Sequence, residues 1–455
     1  MKKDIRNNIV CIIVFIVVFI VNSLITLILM SDAKFSDFFT TGRISCLENR
    51  DANITRDIVV DNTSIRDEGG IKTLAENLIG LMAAKRPHWR FIVLITDGFH
   101  DNFSRLRTHR NVKFLHVHTK YSSAFLLLRN IMNFLTLGLF HDKITQLIFY
   151  NTICTDDKCD LFFDPYAEFA VNDFSIPKVS LIHDLSYLDL PECWLPKTKQ
   201  WRKNNSELII QNSKKIITIS NFSRKRIIDL YKVNEDFVEG IPICLARRIS
   251  NKRPTANFVN STLKKYDLIK NNYLIYPSSF WGHKNHARLL ESFAKFLAAS
   301  HSKVKLAIVG KFRPWKNHDF FKDTLEKNDL TGKVVFTNFV PDDELDVLLS
   351  NSIALVFPSL YEGFGMPIIE AMTAGVPVIC SNAGSLPEVA GDAALFFNPT
   401  DIGEMVTAIS RIVADSKLRE DLIQRGYKQA EKFTDTEAMI NGYIKVFEEV
   451  MDKKN

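Results

Sequence analysis

Short apolar runs, each followed by a turn and a longer stretch of helical period, constrain this chain more than any other feature. Asp57 to Val60, Arg90 to Thr96, Val112 to His116, Leu161 to Asp164, Val179 to His183 and Lys215 to Ser220 are such runs. They read as buried strands, and Ile71 to Ala84 is one of the helical stretches between them. Repeated β-α alternation predicts a parallel sheet with helices on both faces. The pattern weakens between Val233 and Asn260, which hold Pro242, Pro254, clustered Arg and several Asn. It then restarts with Tyr273 to Tyr276, Val304 to Val309, Val334 to Thr337, Ile353 to Phe357 and Val376 to Cys380. A helical stretch from Thr436 to Met451 closes the chain. The expectation is an α/β protein of two doubly wound domains, 57–250 and 251–455, the second with the terminal helix. Each sheet would offer the carboxyl ends of its strands to a cleft between them.

Size agrees, because 455 residues are too many for one small core. Hydrophobic residues at 46% and charged residues at 24% are globular values, and no repeat or low-complexity tract points to a solenoid or scaffold. The net charge of +6 is spread along the chain, so no nucleic-acid partner is expected. The seven cysteines are irregularly spaced. Cys154, Cys159 and Cys193 lack a Cys-x2-Cys pair or a His at ligand spacing, so unpaired thiols and no metal are expected.

The N-terminus departs from this composition. Ile9 to Met30 holds no charge and only Asn22, Ser23 and Thr26 as polar members, and about 20 apolar residues suffice for a membrane-crossing helix. The run is long for a signal peptide, and Ser31-Asp32-Ala33-Lys34 is a poor cleavage site. Residues 1–30 are therefore expected to be a retained single-pass anchor, and 31–56 a polar stalk. Ala124 to Phe140 is a second apolar stretch. It reads as a buried helix, or as a partly exposed helix bringing a lipid-linked acceptor to the cleft.

The stretch richest in chemistry is Tyr361-Glu362-Gly363-Phe364-Gly365-Met366-Pro367-Ile368-Ile369-Glu370. It follows the run ending at Phe357. Pro367 suits the first turn of a helix, where its missing N–H costs nothing. The glycines let the backbone turn tightly and bring amides close to a ligand. Glu370 then falls about one turn into the helix. Amides at a positive helix end suit a phosphate, and two carboxylates suit sugar or ribose hydroxyls. An ordinary strand-to-helix connection with two solvated glutamates is the plain alternative.

Continued through Ala374-Gly375-Val376-Pro377-Val378 and Ser385-Leu386-Pro387-Glu388-Val389, this stretch resembles the donor signature of the retaining family 4 glycosyltransferases. The look is nearest to mannosyltransferases of surface-polysaccharide assembly. The resemblance implies the GT-B fold of two Rossmann-like domains, the first on the acceptor side and the second on the donor side. It implies that Glu362, with the amides of Gly363, Phe364, Gly365 and Met366, holds the donor sugar, and that Glu370 holds the nucleotide ribose. Asp67-Glu68-Gly69-Gly70 resembles the glycine turn opposite the diphosphate. Ile182-His183-Asp184 resembles the element whose His lies against the donor sugar. Gly282-His283-Lys284-Asn285 resembles the basic element whose Lys neutralises the diphosphate. Ser220-Asn221-Phe222-Ser223 resembles a serine-rich turn opening a helix, for which an N-cap role suffices. The family usually carries an Arg shortly before that Lys, where this chain has Pro277-Ser278-Ser279-Phe280-Trp281. Ser278 and nearby amides would then assist Lys284.

The implied activity is transfer of a hexose, first of all mannose from GDP-mannose, to a glycan or lipid-linked acceptor with retention of configuration. As the glycosidic bond breaks, negative charge grows on the diphosphate and positive charge on the ring, and a catalyst must stabilise both. Lys284, Glu362 and His183 are the catalytic candidates. The glutamates do not read as the acid and nucleophile of a glycosidase. A sugar-nucleotide epimerase of the same fold and a non-catalytic membrane scaffold are the competing readings. Lys2, Lys3 and Arg6 ahead of the apolar run would place the enzyme on the far side of the membrane. Supply of nucleotide sugars argues for the cytoplasmic face and is the harder constraint. The sequence contains no Asp-x-Asp to hold a cation against a diphosphate. Activity in excess EDTA is therefore expected to match that in buffer, and loss in EDTA with rescue by Mn²⁺ or Mg²⁺ would contradict the charge assignment.

Overall fold

The structure, a computed structural model, describes residues 53–61, 70–96, 105–117, 159–167, 176–244, 254–310 and 323–452. The anchor, most of the stalk, Gly69, the apolar stretch 124–140 and the expected boundary near residue 250 lie outside the described residues. Among the described residues no helix is long and apolar enough to cross a membrane.

Two parallel sheets form. The first contains β1 (Arg56–Asp61), β2 (Trp89–Thr96), β3 (Val112–Val117), β4 (Leu161–Asp164), β5 (Lys178–Ile182), β6 (Lys215–Thr218) and β7 (Val238–Gly240), in the order β3-β2-β1-β4-β5-β6-β7. The second contains β8 (Tyr273–Pro277), β9 (Lys305–Val309), β10 (Val334–Phe336), β11 (Ala354–Phe357), β12 (Val378–Ser381) and β13 (Ala394–Phe397), in the order β10-β9-β8-β11-β12-β13. In each sheet the first strand pairs on both sides, β1 with β2 and β4, β8 with β9 and β11. The strand order reverses there, and a crevice opens between the outgoing turns. Central strands such as β4 and β5 are buried throughout, their apolar residues filling both faces, while Asp164 and Lys178 are buried as a pair 3.4 Å apart.

Two strands escape a reading of periodicity. β7 has only three residues, one of them the exposed Glu239, and β13 is an edge reading Ala-Leu-Phe-Phe. β12 starts at Val378 rather than Val376 because the Val376 amide donates to the Ala371 carbonyl, closing the preceding helix.

The last helix, Thr436–Asp452, follows the second sheet in sequence but packs on the first, against β4, β5 and the Gly70–Lys85 helix. Phe163 of β4 meets Tyr443 and Phe447 at ring separations of 6.3 and 5.1 Å. At the rim, Arg86 pairs with Glu448 and Arg56 with Asp452. These exposed pairs add little, so the aromatic contact carries the attachment. Phe447 is fully buried, and Phe447→Ala is expected to cost about 3–5 kcal/mol. Urea unfolding checks this, and a midpoint equal to wild type would mean that the helix does not seal the first sheet.

Candidate active site

Two outgoing turns of the second sheet build the site. Beyond β8 the chain passes Ser278 to Trp281 and enters a single 3-10 turn, Gly282–Lys284. Asn285 then takes a left-handed conformation, φ 60°, which Asn tolerates better than most residues, and the His286–Ser300 helix begins. The Asn285 side chain donates from Nδ2 to the carbonyls of Pro358 (3.0 Å) and Pro399 (2.8 Å), tying the turn to the ends of β11 and β13. Tyr276 donates to the Lys284 carbonyl at 2.8 Å, and the Leu360 amide to the His283 carbonyl at 2.8 Å. The Lys284 backbone is thus held from three sides.

Its side chain crosses the crevice. Lys284 Nζ lies 2.6 Å from Glu362 Oε1 and 5.7 Å from the centre of the Phe357 ring. The two side chains are 16% and 12% exposed, so the pair is largely screened from water but open enough for a ligand to reach.

Glu362 opens the loop between β11 and the Met366–Thr373 helix. Ser385 braces that loop: its hydroxyl lies 3.0 Å from the Glu362 carbonyl and 2.9 Å from the Phe364 carbonyl. Gly365 has φ 109°, a region that disfavours side chains, and an added Cβ would also meet Leu386 at 2.7 Å. Met366 and Pro367 begin the helix with no side-chain cap, but Pro367 has no N–H and the Ile368 amide donates to the Gly365 carbonyl at 3.0 Å, so amides for a ligand would come from Met366 and the loop ahead of it. Glu370, on the same helix, is buried.

The first sheet supplies a lid to this crevice. His183, just beyond β5, donates from Nε2 to the Pro165 carbonyl at 2.9 Å, which leaves Nδ1 as its acceptor. Burial pushes the His183 pKa below the ordinary imidazole value, opposed by the bond to Pro165. The His183 carbonyl presses on the loop after β11: a Cβ on Gly363 would lie 2.4 Å from it. Only glycine permits this approach. Phe222 meets Tyr361 edge to face at 5.5 Å.

The structure therefore brings His183, Lys284, Glu362, Gly363, Phe364, Gly365 and Met366 together. Glu370 stands one turn behind them. Gly70 begins the Gly70–Lys85 helix, while Gly69 lies outside the described residues. The Ser278 hydroxyl is turned to the Ser279 carbonyl at 2.9 Å. Ser220 caps the Asn221–Tyr231 helix by accepting from the Ser223 amide.

Residues 262–429 match the family described as glycosyl transferases group 1. The O-antigen chain mannosyltransferase B of Escherichia coli is 32% identical over 257 residues, 56% of this chain and 66% of that protein. Over residues 262–429 the chain carries a group 1 glycosyltransferase domain. The O-antigen chain mannosyltransferase RfbU of Salmonella typhimurium is 27% identical over 51% of this chain and 59% of its own length. The chain thus spans about two thirds or less of these curated relatives. Among solved structures, Anabaena HepE in complex with UDP-glucose superposes with a TM-score of 0.64 at 16% identity, over 87% of this chain and 100% of that one. A glycosyltransferase from Rickettsia africae gives 0.63 at 15%, over 87% and 99%. The fold is GT-B.

One residue acts where its sequence position gives no hint. Glu388, in the short Leu386–Ala390 helix, reaches across to the first sheet's domain. It accepts from the amides of Asn221 and Phe222, both at 2.9 Å, and from Asn221 Nδ2 at 3.1 Å. A carboxylate is favoured at a helix N-terminus. The partners are 167 residues apart in sequence, so no local signal links them. Ser385, three residues earlier, braces the loop after β11, so this short stretch links that loop to the first sheet's domain. Glu388→Ala is expected to cost about 1–3 kcal/mol and to loosen the domains. Small-angle scattering should show a larger radius of gyration, and an unchanged profile with an unchanged unfolding midpoint would contradict the strut.

Proposed function

We propose that this enzyme moves a hexosyl unit, mannose from GDP-mannose in the first instance, to a glycan or lipid-linked acceptor with retention of configuration and without a metal ion. The observation that carries the reading is the Lys284–Glu362 pair at 2.6 Å beside the uncapped start of the Met366–Thr373 helix. In the absence of ligand each charge satisfies the other. A nucleoside-diphosphate sugar offers both a better partner: its phosphates take Lys284 and the amides at and just before Met366, and its hydroxyls take Glu362.

In the reaction the bond from the anomeric carbon to the diphosphate oxygen breaks, and the electron pair leaves with the nucleoside diphosphate. The acceptor hydroxyl forms the new bond on the same face, and its proton passes to a diphosphate oxygen. Lys284 stabilises charge that grows as the bond breaks, and preorganised charge of this kind lowers a barrier most. His183 is kept neutral by burial and so donates or accepts hydrogen bonds without adding positive charge beside an electron-poor ring. Glu370 would bind the ribose. The mannose assignment is supported by the O-antigen mannosyltransferases among the relatives.

The expected anchor, residues 1–30, would hold the enzyme on the cytoplasmic face, where nucleotide sugars are supplied. Among the described residues Cys193, Cys244 and Cys380 form no disulfide, which suits a reducing compartment.

The test is a panel of nucleotide sugars with free-sugar release and transfer as readouts. Release from GDP-mannose above all others is expected, and no turnover of any donor would overturn the reading. Lys284→Ala should lose at least ~10²-fold in kcat/KM. Because the folded His183 pKa lies below its unfolded value, His183 stays neutral as pH falls through 6.5. The acid limb of kcat/KM is expected below that pH, and a limb near 6.5 that disappears in His183→Gln would contradict a neutral His183.

A further inference from the structure

Tyr361, the residue ahead of Glu362, belongs to the second sheet's domain but is seated against the first. It is 5% exposed, and its ring meets Phe222, at the start of the Asn221–Tyr231 helix, edge to face at 5.5 Å. The carboxylates of Asp189 and Asp184 and the Leu185 backbone lie beside its hydroxyl. Asp189 is itself fixed. Arg226, on the same helix as Phe222, grips both of its oxygens, with Nε 2.9 Å from Oδ1 and 3.0 Å from Oδ2. Asp184 accepts from the Ser186 amide at 2.8 Å. Two residues on, a Cβ at Gly363 would lie 3.0 Å from Asp184 Cβ, so the loop that carries Glu362 touches the first domain on both sides of it.

The Tyr361 hydroxyl is nonetheless unsatisfied. It is buried and makes no hydrogen bond of ordinary geometry among the described residues, although Asp189 stands next to it. Burial, helped by Asp189 and Asp184, pushes its pKa above the ordinary phenol value, so the hydroxyl stays protonated and able to donate. A buried hydroxyl without a partner is destabilising, and phenylalanine would fill the same place without that penalty. A partner gained in another state of the molecule accounts for the tyrosine. Asp189 is the acceptor that Arg226 already presents, and a small shift of one domain against the other brings it into line. Donor binding supplies the shift. Glu362 is bonded to Lys284 at 2.6 Å, and turning to a sugar hydroxyl moves the loop on which Tyr361 is the preceding residue.

We propose that Tyr361 is a positioning residue whose hydroxyl donates to Asp189 when donor is bound, latching the Glu362 loop to the first domain. The inference rests on the transfer reaction proposed above and deepens its account of Glu362.

The experiment uses the full chain, the nucleotide sugar that wild type turns over best, and the variants Tyr361→Phe, Asp189→Ala and their double. Calorimetric titration reads binding of that donor and of its nucleoside diphosphate, and urea unfolding reads the ligand-free enzyme. Tyr361→Phe is expected to leave the ligand-free midpoint unchanged or raised, because no bond is lost. It should weaken donor binding about tenfold, the scale of one hydrogen bond to a charged group. The nucleoside diphosphate alone should lose less, since it carries no sugar for Glu362. In the double-mutant cycle the two substitutions should add in ligand-free stability and couple in donor binding. A lowered ligand-free midpoint in Tyr361→Phe, equal weakening of both ligands, or undiminished donor binding would overturn the latch. If wild type binds and turns over no nucleotide sugar, the transfer reaction falls and the latch with it. That result is distinct from a donor that binds wild type and Tyr361→Phe equally, which sinks the latch alone.

Discussion

A lysine and a glutamate from two different turns, 78 residues apart, meet at 2.6 Å where the order of the second sheet reverses. Charges so placed are expensive to leave alone, because each would stand largely desolvated without the other. The surrounding contacts have the effect of holding their backbones still. Asn285, Tyr276 and the Leu360 amide fix the lysine's turn, and Ser385 fixes the glutamate's. A pair assembled this way is stable without ligand and ready to exchange partners with it.

The first sheet serves that pair from across the crevice. Lys178, fully buried, lies 3.4 Å from Asp164, and Asp164 accepts from the Tyr166 amide. That turn presents the Pro165 carbonyl to His183. The last helix returns from the second domain to close the first sheet, so the chain crosses between the domains twice. Glu388 and the Trp194–Trp281 stack add contacts without a covalent link. Contact between the two sheets' domains is thus distributed over several small interactions.

Much of this was legible in the sequence because it is local. Short, largely apolar runs gave the central strands, and the Gly-Phe-Gly-Met-Pro turn gave the loop after β11 within a residue or two. Edge strands β7 and β13 were too short or too ambiguous to show a period. The site candidates His183, Lys284 and Glu362 were read from separate stretches, and only the fold brings them into one crevice. What the sequence could not give were pairings at long range. Glu388 was visible beside Ser385, but its partners at Asn221 and Phe222 were not. Trp281 marked only a departure from the expected Arg, and nothing local tied it to Trp194. The attachment of the final helix to the first sheet is of the same kind, since its apolar stripe does not say which sheet it will cover.

The central claim is that Glu362 and Lys284 neutralise each other until donor arrives, then divide its sugar and its phosphates between them. Calorimetric titration of GDP and of GDP-mannose into wild type, Lys284→Ala and Glu362→Ala tests this directly. Lys284→Ala is expected to weaken both ligands. Glu362→Ala is expected to weaken GDP-mannose while leaving GDP bound as tightly or more tightly, because the lysine is freed. Equal loss of both ligands in Glu362→Ala, or undiminished GDP binding in Lys284→Ala, would contradict the account.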